Sequence, residues 1–290
     1  MSEFDIEKSQ FSIEQLDGIS YFNPEAKLIS KTVGSEELRQ YALAIATAPA
    51  LDDGIDGQEV VSFVARVSNP NNQLNFDTAA GLLRYCIKHE HWSIFEHAYV
   101  TLELSTTRAI SPQVLRHRSF TFQEFSQRYA DASMLTQAIP IPRFRKQDTK
   151  NRQNSTDDLD PFVKQDFEIR TKQAFDMLLK LYQDGLEAGI AKECMREVLP
   201  LAVPTRMYMT GNLRSWIHYT NLRTSNGTQL EHMNLAKQCQ CIIAGEFPDV
   251  AEALGWTHVD PEITIETTNP YCNLFDCTRT ANVTNNLSWL

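Results

Sequence analysis

From Ala98 to Ser105 the chain alternates without a break, with Ala98, Val100, Leu102 and Leu104 on one face and Tyr99, Thr101, Glu103 and Ser105 on the other. A period of two sustained over this length describes a strand buried on one side only. The chain must therefore build at least one sheet with a core against a single face. Helical patterns surround it. Phe76–His89 carries apolar residues at 79, 82, 83, 86 and 87, the spacing of an amphipathic helix. Ser111-Pro112 predicts a helix start, the serine capping free amides and the proline taking the first helical position. Asp160-Pro161 predicts another, running past Phe162, Phe167, Ala174, Met177, Leu178, Leu181 and Tyr182 to Gly185 or Gly189. Helices are also expected over 190–198, 205–219 and 228–246, while Met134–Ile141 reads as strand-like. The expected class is α+β, a mixed or antiparallel sheet with several long helices.

Residues 1–58 have no strong period and read as an N-terminal extension, residues 59–259 as the main domain, and the Asn- and Thr-rich residues 260–290 as a tail of surface loops. Within the main domain, 143–160 carries nine charges and almost nothing apolar, which predicts an exposed insertion loop. With 290 residues, 42% of them hydrophobic, the chain can bury a sizeable core. It has no run of 18 apolar residues to cross a membrane, and no basic-then-apolar N-terminus to direct secretion, so a soluble cytoplasmic protein is expected. The six cysteines form no C-x-x-C pair and are expected as reduced thiols rather than a zinc site. A net charge of −10 counts against general binding to nucleic acid, which needs a positive footprint. Small phosphorylated ligands need only a local cluster of arginines.

Gln113–Tyr129 is that cluster. Between Arg116 and Arg128 stand three arginines, one histidine, one glutamate and three phenylalanines. A guanidinium binds phosphate through a planar fork and keeps its charge at any working pH. If the helix continues, Gln113 and Arg116 share a face and Arg118 points elsewhere, so one segment can serve two ligands. Ser126 and Arg128, two apart, suit an extended loop that sets a hydroxyl and a guanidinium on one phosphate. The plainer reading of an isolated Arg-His-Arg is an exposed basic turn balanced by nearby acids. Ser126 as a nucleophile would need a base, and none is evident nearby, so a phosphate contact is the better reading. His89, His91 and His97 could be read as metal ligands, but no carboxylate pattern supports this. Trp216–Tyr219 reads as a packing segment with His218 in the core.

Arg116-His117-Arg118, seven residues, then Ser126 resembles the R-H-R-x7-S signature of the flavin-dependent thymidylate synthases, with Gln113 ahead of it and Arg128-Tyr129 behind. His91-Trp-Ser93-Ile-Phe95-Glu96-His97 is similar to the family's H-x-[ST]-x-F-E-H element, and Ala65-Arg66-Val67-Ser68 to its A-R-V-S element. Leu199-Pro200-Leu201, Thr205-Arg206 and Asn221-Leu222-Arg223 resemble its C-terminal elements, so the likeness runs from about Ala65 to Ala236.

The resemblance implies conversion of dUMP to dTMP, with methylenetetrahydrofolate giving the carbon, reduced FAD the hydride and NADPH re-reducing the flavin, in a homotetramer. It implies that Ser68, Ser93, Glu96, Arg116, His117, Arg118, Glu124, Asn221 and Arg223 contact FAD. It implies that Gln113, Arg116, Glu124, Ser126, Arg128 and Arg206 hold dUMP, with the amides of Phe125, Ser126 and Gln127 around its phosphate. His91 would lie near the flavin and help place the folate, and Arg206 would act on the nucleotide. One departure stands out. In Thr228-Gln229-Leu230-Glu231-His232-Met233, Met233 occupies the place of the family's uracil-activating arginine and reads as core filler. Either His232 or Arg206 would then carry that role, or the activity is reduced or altered. Methylation of another uracil nucleotide such as UMP stays open, as does a non-catalytic phosphate- or nucleic-acid-binding module.

Overall fold

The alternating segment is a strand, Tyr99–Thr107, in a computed structural model that describes residues 19–45 and 54–256. In chain order the early elements are β1 (Glu25–Lys31), α1 (Glu36–Ile45), α2 (Gly57–Ala65), α3 (Ala79–Lys88) and that strand, β2. There follow α4 (Ser111–Val114), β3 (Thr121–Glu124), β4 (Lys146–Gln147), β5 (Ser155–Thr156) and α5 (Pro161–Glu187). The last are α6 (Lys192–Met195), β6 (Pro204–Asn212), α7 (Leu213–Arg223), α8 (Leu230–Glu246) and α9 (Pro248–Ala253). The class is α+β, as expected. The Asn-rich tail, Cys272 and Cys277 lie outside the described residues.

The described residues fall into two compact units, one of residues 19–31 together with Tyr99–Cys239, the other of residues 32–45, 54–98 and 240–256. The first is built on an antiparallel sheet in the order β1-β2-β6-β3. Its buried face carries Val100, Leu102 and Leu104 of β2 and Met207 and Met209 of β6. Against them pack Phe120, Trp216 and Tyr219, whose rings meet edge to face, and the Trp216 indole donates to the Val100 carbonyl at 3.1 Å. Gly211 makes this possible. A Cβ there would stand 2.4 Å from the Phe120 ring. Residues 25–31, read as part of the N-terminal extension, supply strand β1.

Several expectations are corrected. Residues 205–212 are the inner strand β6, not the start of a helix; helix α7 begins only after Asn212 caps it by accepting from the Ser215 amide at 2.9 Å. Met134–Ile141 forms no strand beyond a single bridge from Ile141 to Tyr21, because no neighbouring strand pairs with it. The charged stretch at 143–160 is mostly exposed, as expected of an insertion loop, but also carries a short hairpin in which β4 and β5 pair. The helix expected over 190–198 is cut to the single turn α6 and a 3₁₀ turn. Helix α5 starts as read, with Asp160 accepting from the amides of Phe162 and Val163, and stops before Gly189, whose φ of 83° ends it. Yet its apolar residues do not all face inward. Ile169, Leu179 and Tyr182 are buried, while Phe162 is 76% and Met177 67% exposed, with Phe167 and Leu181 also exposed.

In the second unit, α2 opens with a reciprocal capping box between Asp56 and Glu59, and α3 packs on α9. Helix α3 ends in a Schellman motif, the amides of His91 and Glu90 returning to the carbonyls of Cys86 and Ile87. Glu90 holds the left-handed position that glycine normally fills, with φ 59°. This turn presents the His91 ring beside Tyr85, centroids 6.0 Å apart.

Candidate active site

The cationic segment lies in the first unit, folded around Glu124 at the end of β3. Strand β6 brings Thr205 to the same buried side of the sheet as Glu124, and the turn after β2 brings Arg108 and Ser111. One carboxylate oxygen, Oε1, accepts from Ser111 Oγ at 2.7 Å, Thr205 Oγ1 at 2.9 Å and Arg108 Nη1 at 2.9 Å. Glu124 Oε2 has no partner among the described residues. Arg108 also donates to the Phe125 carbonyl at 2.9 Å, so it pins the chain just where the next three residues turn. Its Nε is buried without a partner, as is Nε2 of Gln127.

The amides of Ser126 and Gln127 donate to nothing among the described residues; Ser126, Arg128 and Lys192 line a cleft of about 510 Å³, while Gln127 is buried beside it and Lys192 donates to the Tyr129 carbonyl at 3.2 Å. The Ser126 carbonyl closes a turn onto Tyr129 and Ala130, so Ser126 and Arg128 share the cleft by a turn rather than an extended loop. Among the described residues no base touches the Ser126 hydroxyl. The Phe125 amide, expected to face a phosphate, is instead spent on the Arg206 carbonyl at 2.8 Å, because it continues the β3–β6 ladder. Arg128 is held by an exposed carboxylate, Glu193, at 2.9 and 3.2 Å.

Serine 111 does not cap α4 as read; its hydroxyl is given to Glu124, and α4 lasts only from Ser111 to Val114, so Gln113 and Arg116 do not share a helical face. Arg116 and Arg118 follow it on the surface, exposed and in no ion pair among the described residues. His117 between them points inward. Its Nε2 accepts from Arg223 Nε at 2.9 Å, and its ring meets Tyr219 edge to face at 4.8 Å. Burial, then the nearby Arg223 charge, pushes the His117 imidazole down to about 4, so it is neutral and takes Arg223 as donor. Arg223 and Asn221 stand on the last turn of α7, Asn221 exposed.

His232 was not foreseen as a buried group. It is fully buried, with Nε2 3.2 Å from the Tyr219 hydroxyl and Nδ1 3.3 Å from Gln113 Oε1. Burial, then Arg223, drives its imidazole to about 3, so it supplies no cation. The core histidine role assigned to His218 is overturned, since that side chain is exposed on the outer face of α7. Met233 is half-buried one residue further along α8. Arg206 is not brought to Glu124. It alternates with Thr205 and Met207 and so faces the opposite side of the sheet, where its nearest acid is Glu103 at 3.9 Å.

The remaining candidates belong to the second unit. Ser68 is exposed on a cleft of about 500 Å³ that Arg66, Asn69, Asn72 and Thr78 also line. There Arg66 donates to the Asn75 carbonyl and, at 2.8 Å, to Thr78 Oγ1. Ser93 and Glu96 lie in the 3₁₀ turn after His91, and all three are exposed. His89 and His91 have ring centroids 6.2 Å apart, and no group of three or more metal-ligating side chains occurs among the described residues. No described helix is long and apolar enough to cross a membrane.

Sequence could have exposed Arg108 and Thr205 only through knowledge of the sheet register, since Glu124 lies 16 and 81 residues from them. The Gln113–His232 contact spans 119 residues.

Residues 51–249 match the family described as thymidylate synthase complementing protein. A probable flavin-dependent thymidylate synthase of Paramecium bursaria Chlorella virus 1 is 51% identical over 210 residues, 72% of this chain and 96% of the relative. A flavin-dependent thymidylate synthase of Synechocystis is 46% identical over 207 residues, 70% of this chain and 94% of the relative. Among solved structures, a UMP/dUMP methylase, PolB from Streptomyces cacaoi, bound with 5-Br UMP, has the same fold at a TM-score of 0.65 and 24% identity, covering 81% of this chain and 96% of that one.

Proposed function

We infer the activity from one premise, that this chain belongs to the flavin-dependent thymidylate synthase family: it is an enzyme that reductively methylates dUMP to dTMP. The observation that carries the site assignment is the unspent Ser126 amide on the cleft that Arg128 and Lys192 also line. An acidic chain gains nothing from such a cluster unless an anion fills it, and the 5′-phosphate of dUMP is that anion. Glu124 Oε2 and Gln113 stand ready for the sugar and base.

The residues also fit a flavin. Arg116 and Arg118 are exposed and unpaired among the described residues, as a pyrophosphate requires, and Arg223 is braced against a neutral His117. By the family likeness we also assign Asn221, and in the second unit Ser68, Ser93 and Glu96, as FAD contacts. When bound, the flavin supplies hydride, with NADPH as the reductant and methylenetetrahydrofolate as the carbon donor that His91 helps place. The protein's task is to hold the uracil so that charge developing on its ring meets a donor. With Met233 in the arginine's place and His232 neutral, that task falls to Arg206. Because Arg206 faces away from Glu124, it would serve a site completed by a second copy of the chain. The exposed Phe162, Phe167, Met177 and Leu181 on α5 support self-association, and we assign a homotetramer. We take residues 59–259 as the catalytic domain, with strand β1 from the N-terminal extension added to its sheet.

Replacing Arg128 with alanine tests the division of labour. Loss of a charge-assisted phosphate contact is expected to weaken dUMP binding about ten- to hundredfold, as read by equilibrium binding, while the yellow absorbance of bound flavin is retained. Equal loss of both ligands contradicts the assignment.

A further inference from the structure

A line of hydrogen bonds runs from the core of the first unit to its hairpin. Glu231 is gripped by Arg145 through two bonds, Nη1 to Oε1 at 2.7 Å and Nη2 to Oε2 at 3.1 Å, and Arg145 Nε is fixed on Ser155 Oγ at 2.8 Å. Gln229 Nε2 lies 3.0 Å from Glu231 Oε2, and Gln229 Oε1 lies 2.9 Å from Gln113 Nε2. Gln113 Oε1 then meets His232 Nδ1, and His232 Nε2 meets the Tyr219 hydroxyl.

This line has a direction. Burial works against a charge on Glu231, but the Arg145 bonds outweigh it and hold the carboxyl below its usual range. An ionised carboxylate only accepts, so the Gln229 amide must turn its nitrogen to Glu231 and its oxygen to Gln113. Gln113 must then offer nitrogen to Gln229 and oxygen to His232. That oxygen draws the imidazole proton to Nδ1, which leaves Nε2 bare to accept from Tyr219. Every amide and ring in the series is oriented from the Arg145–Glu231 end. Reversing Gln113 alone would set two oxygens against each other at one end and two donors at the other.

We propose that the Arg145–Glu231 pair is a specificity-determining device, orienting the Gln113 amide so that the site takes uracil and refuses cytosine. The proposal rests on the reading above that Gln113 faces the nucleotide. So oriented, Gln113 has one oxygen lone pair and one N–H to spare. Uracil offers the complement, a donor at N3–H beside an acceptor at O4. Cytosine offers the reverse, an acceptor at N3 beside an amino donor, and meets a mismatch at both points. Glu231, Gln229 and Arg145 act through Gln113 and are positioning residues, and the charged hairpin at 143–160 acquires a role in the choice of base.

Flavin-loaded enzyme should bind dUMP at least about a hundredfold more tightly than dCMP. In Glu231→Gln the end group can either donate or accept, so the direction is lost and the dUMP-to-dCMP preference is expected to fall about tenfold. Gln229→Ala, at an exposed position where the fold has little to lose, breaks the same line and should do likewise. Flavin content should stay constant in both. Parallel weakening of dUMP and dCMP in both variants, leaving the preference intact, overturns the proposal, since that is what a merely structural role gives. Gln113→Ala separates the two layers. If it abolishes the preference and weakens dUMP, the reading of the site stands whatever the other variants show; if it leaves dUMP binding untouched, the reading and the proposal fall together.

Discussion

Truncating Glu124 to alanine is expected to cost this protein nearly all nucleotide binding and several degrees of thermal stability. Three donors converge on Oε1, and two of them, Ser111 and Thr205, are buried hydroxyls with a relative exposure of 2% each. Removing the acceptor strands both, along with an Arg108 guanidinium that already has one unpartnered nitrogen. Breaking a buried pair from one side costs about 3–5 kcal/mol when solvent is excluded. Here the pair keeps some access to water, with side-chain exposures of 24% and 18%, so about 2–3 kcal/mol is the fairer figure. The larger effect is on function. Arg108 released from Glu124 no longer fixes the Phe125 carbonyl, so the Ser126 and Gln127 amides lose their common aim, and Oε2 is lost as a ligand contact. A fall in dUMP affinity of at least about a hundredfold follows from the loss of two or more such contacts. Glu124→Gln, which keeps an acceptor but no charge, should fall between. Calorimetric titration with dUMP and a thermal melt on each variant read both effects; an alanine variant that melts lower yet binds dUMP normally would assign Glu124 to the fold alone.

Acid is expected to destabilise the protein steeply between pH 6.5 and about 4. His117 and His232 are buried as neutral rings, with pKa values of about 4 and about 3 against 6.5 for a free histidine. The unfolded chain therefore takes up these protons at a higher pH than the folded one. Stability is complete above pH 6.5 and declines as pH falls toward the folded values, where the folded rings protonate too. Each ring contributes roughly 1.4 kcal/mol per pH unit within the window, so the two together remove on the order of 5 kcal/mol by pH 4.5. A loss of that size is a large share of a typical folding free energy. The double variant His117→Asn, His232→Gln should start lower at pH 7.5 but lose much less on acidification. Melting temperatures collected across the range give the answer, and parallel slopes for the two proteins would mean that other groups carry the acid response.

The chemistry of the site was legible in sequence further than its geometry was. The motifs within Gln113–Tyr129 and from Ala65 onward pointed to the family that the matching relatives show, because they pair guanidinium, hydroxyl and carboxylate groups at fixed spacings. Strand β2 and the Asp160-Pro161 start of α5 were legible because each rests on a local rule: alternation in the one case, capping in the other. Strand β6 was not. Its inward residues are Thr205, Met207 and Met209, and methionine favours helices as readily as it fills cores, so the alternation was masked. Pairing on both edges, to β2 and to β3, overrode the local preference. The outward apolar residues of α5 misled for a different reason: periodicity shows that a stripe exists, not whether its cover comes from the same chain. Buried His117 and His232 were equally hidden, since a histidine's burial depends on partners such as Arg223 and Tyr219 that lie far away in the chain.

The most direct test of the account is release of tritium from C5-labelled dUMP by the flavin-loaded enzyme with NADPH and methylenetetrahydrofolate. Methylation at C5 must expel the hydrogen there, so release should match dTMP formed, depend on all three components, and fall sharply in Arg206→Ala if Arg206 acts in place of the arginine that Met233 displaces. Flavin-loaded protein that binds dUMP yet releases no tritium would contradict it.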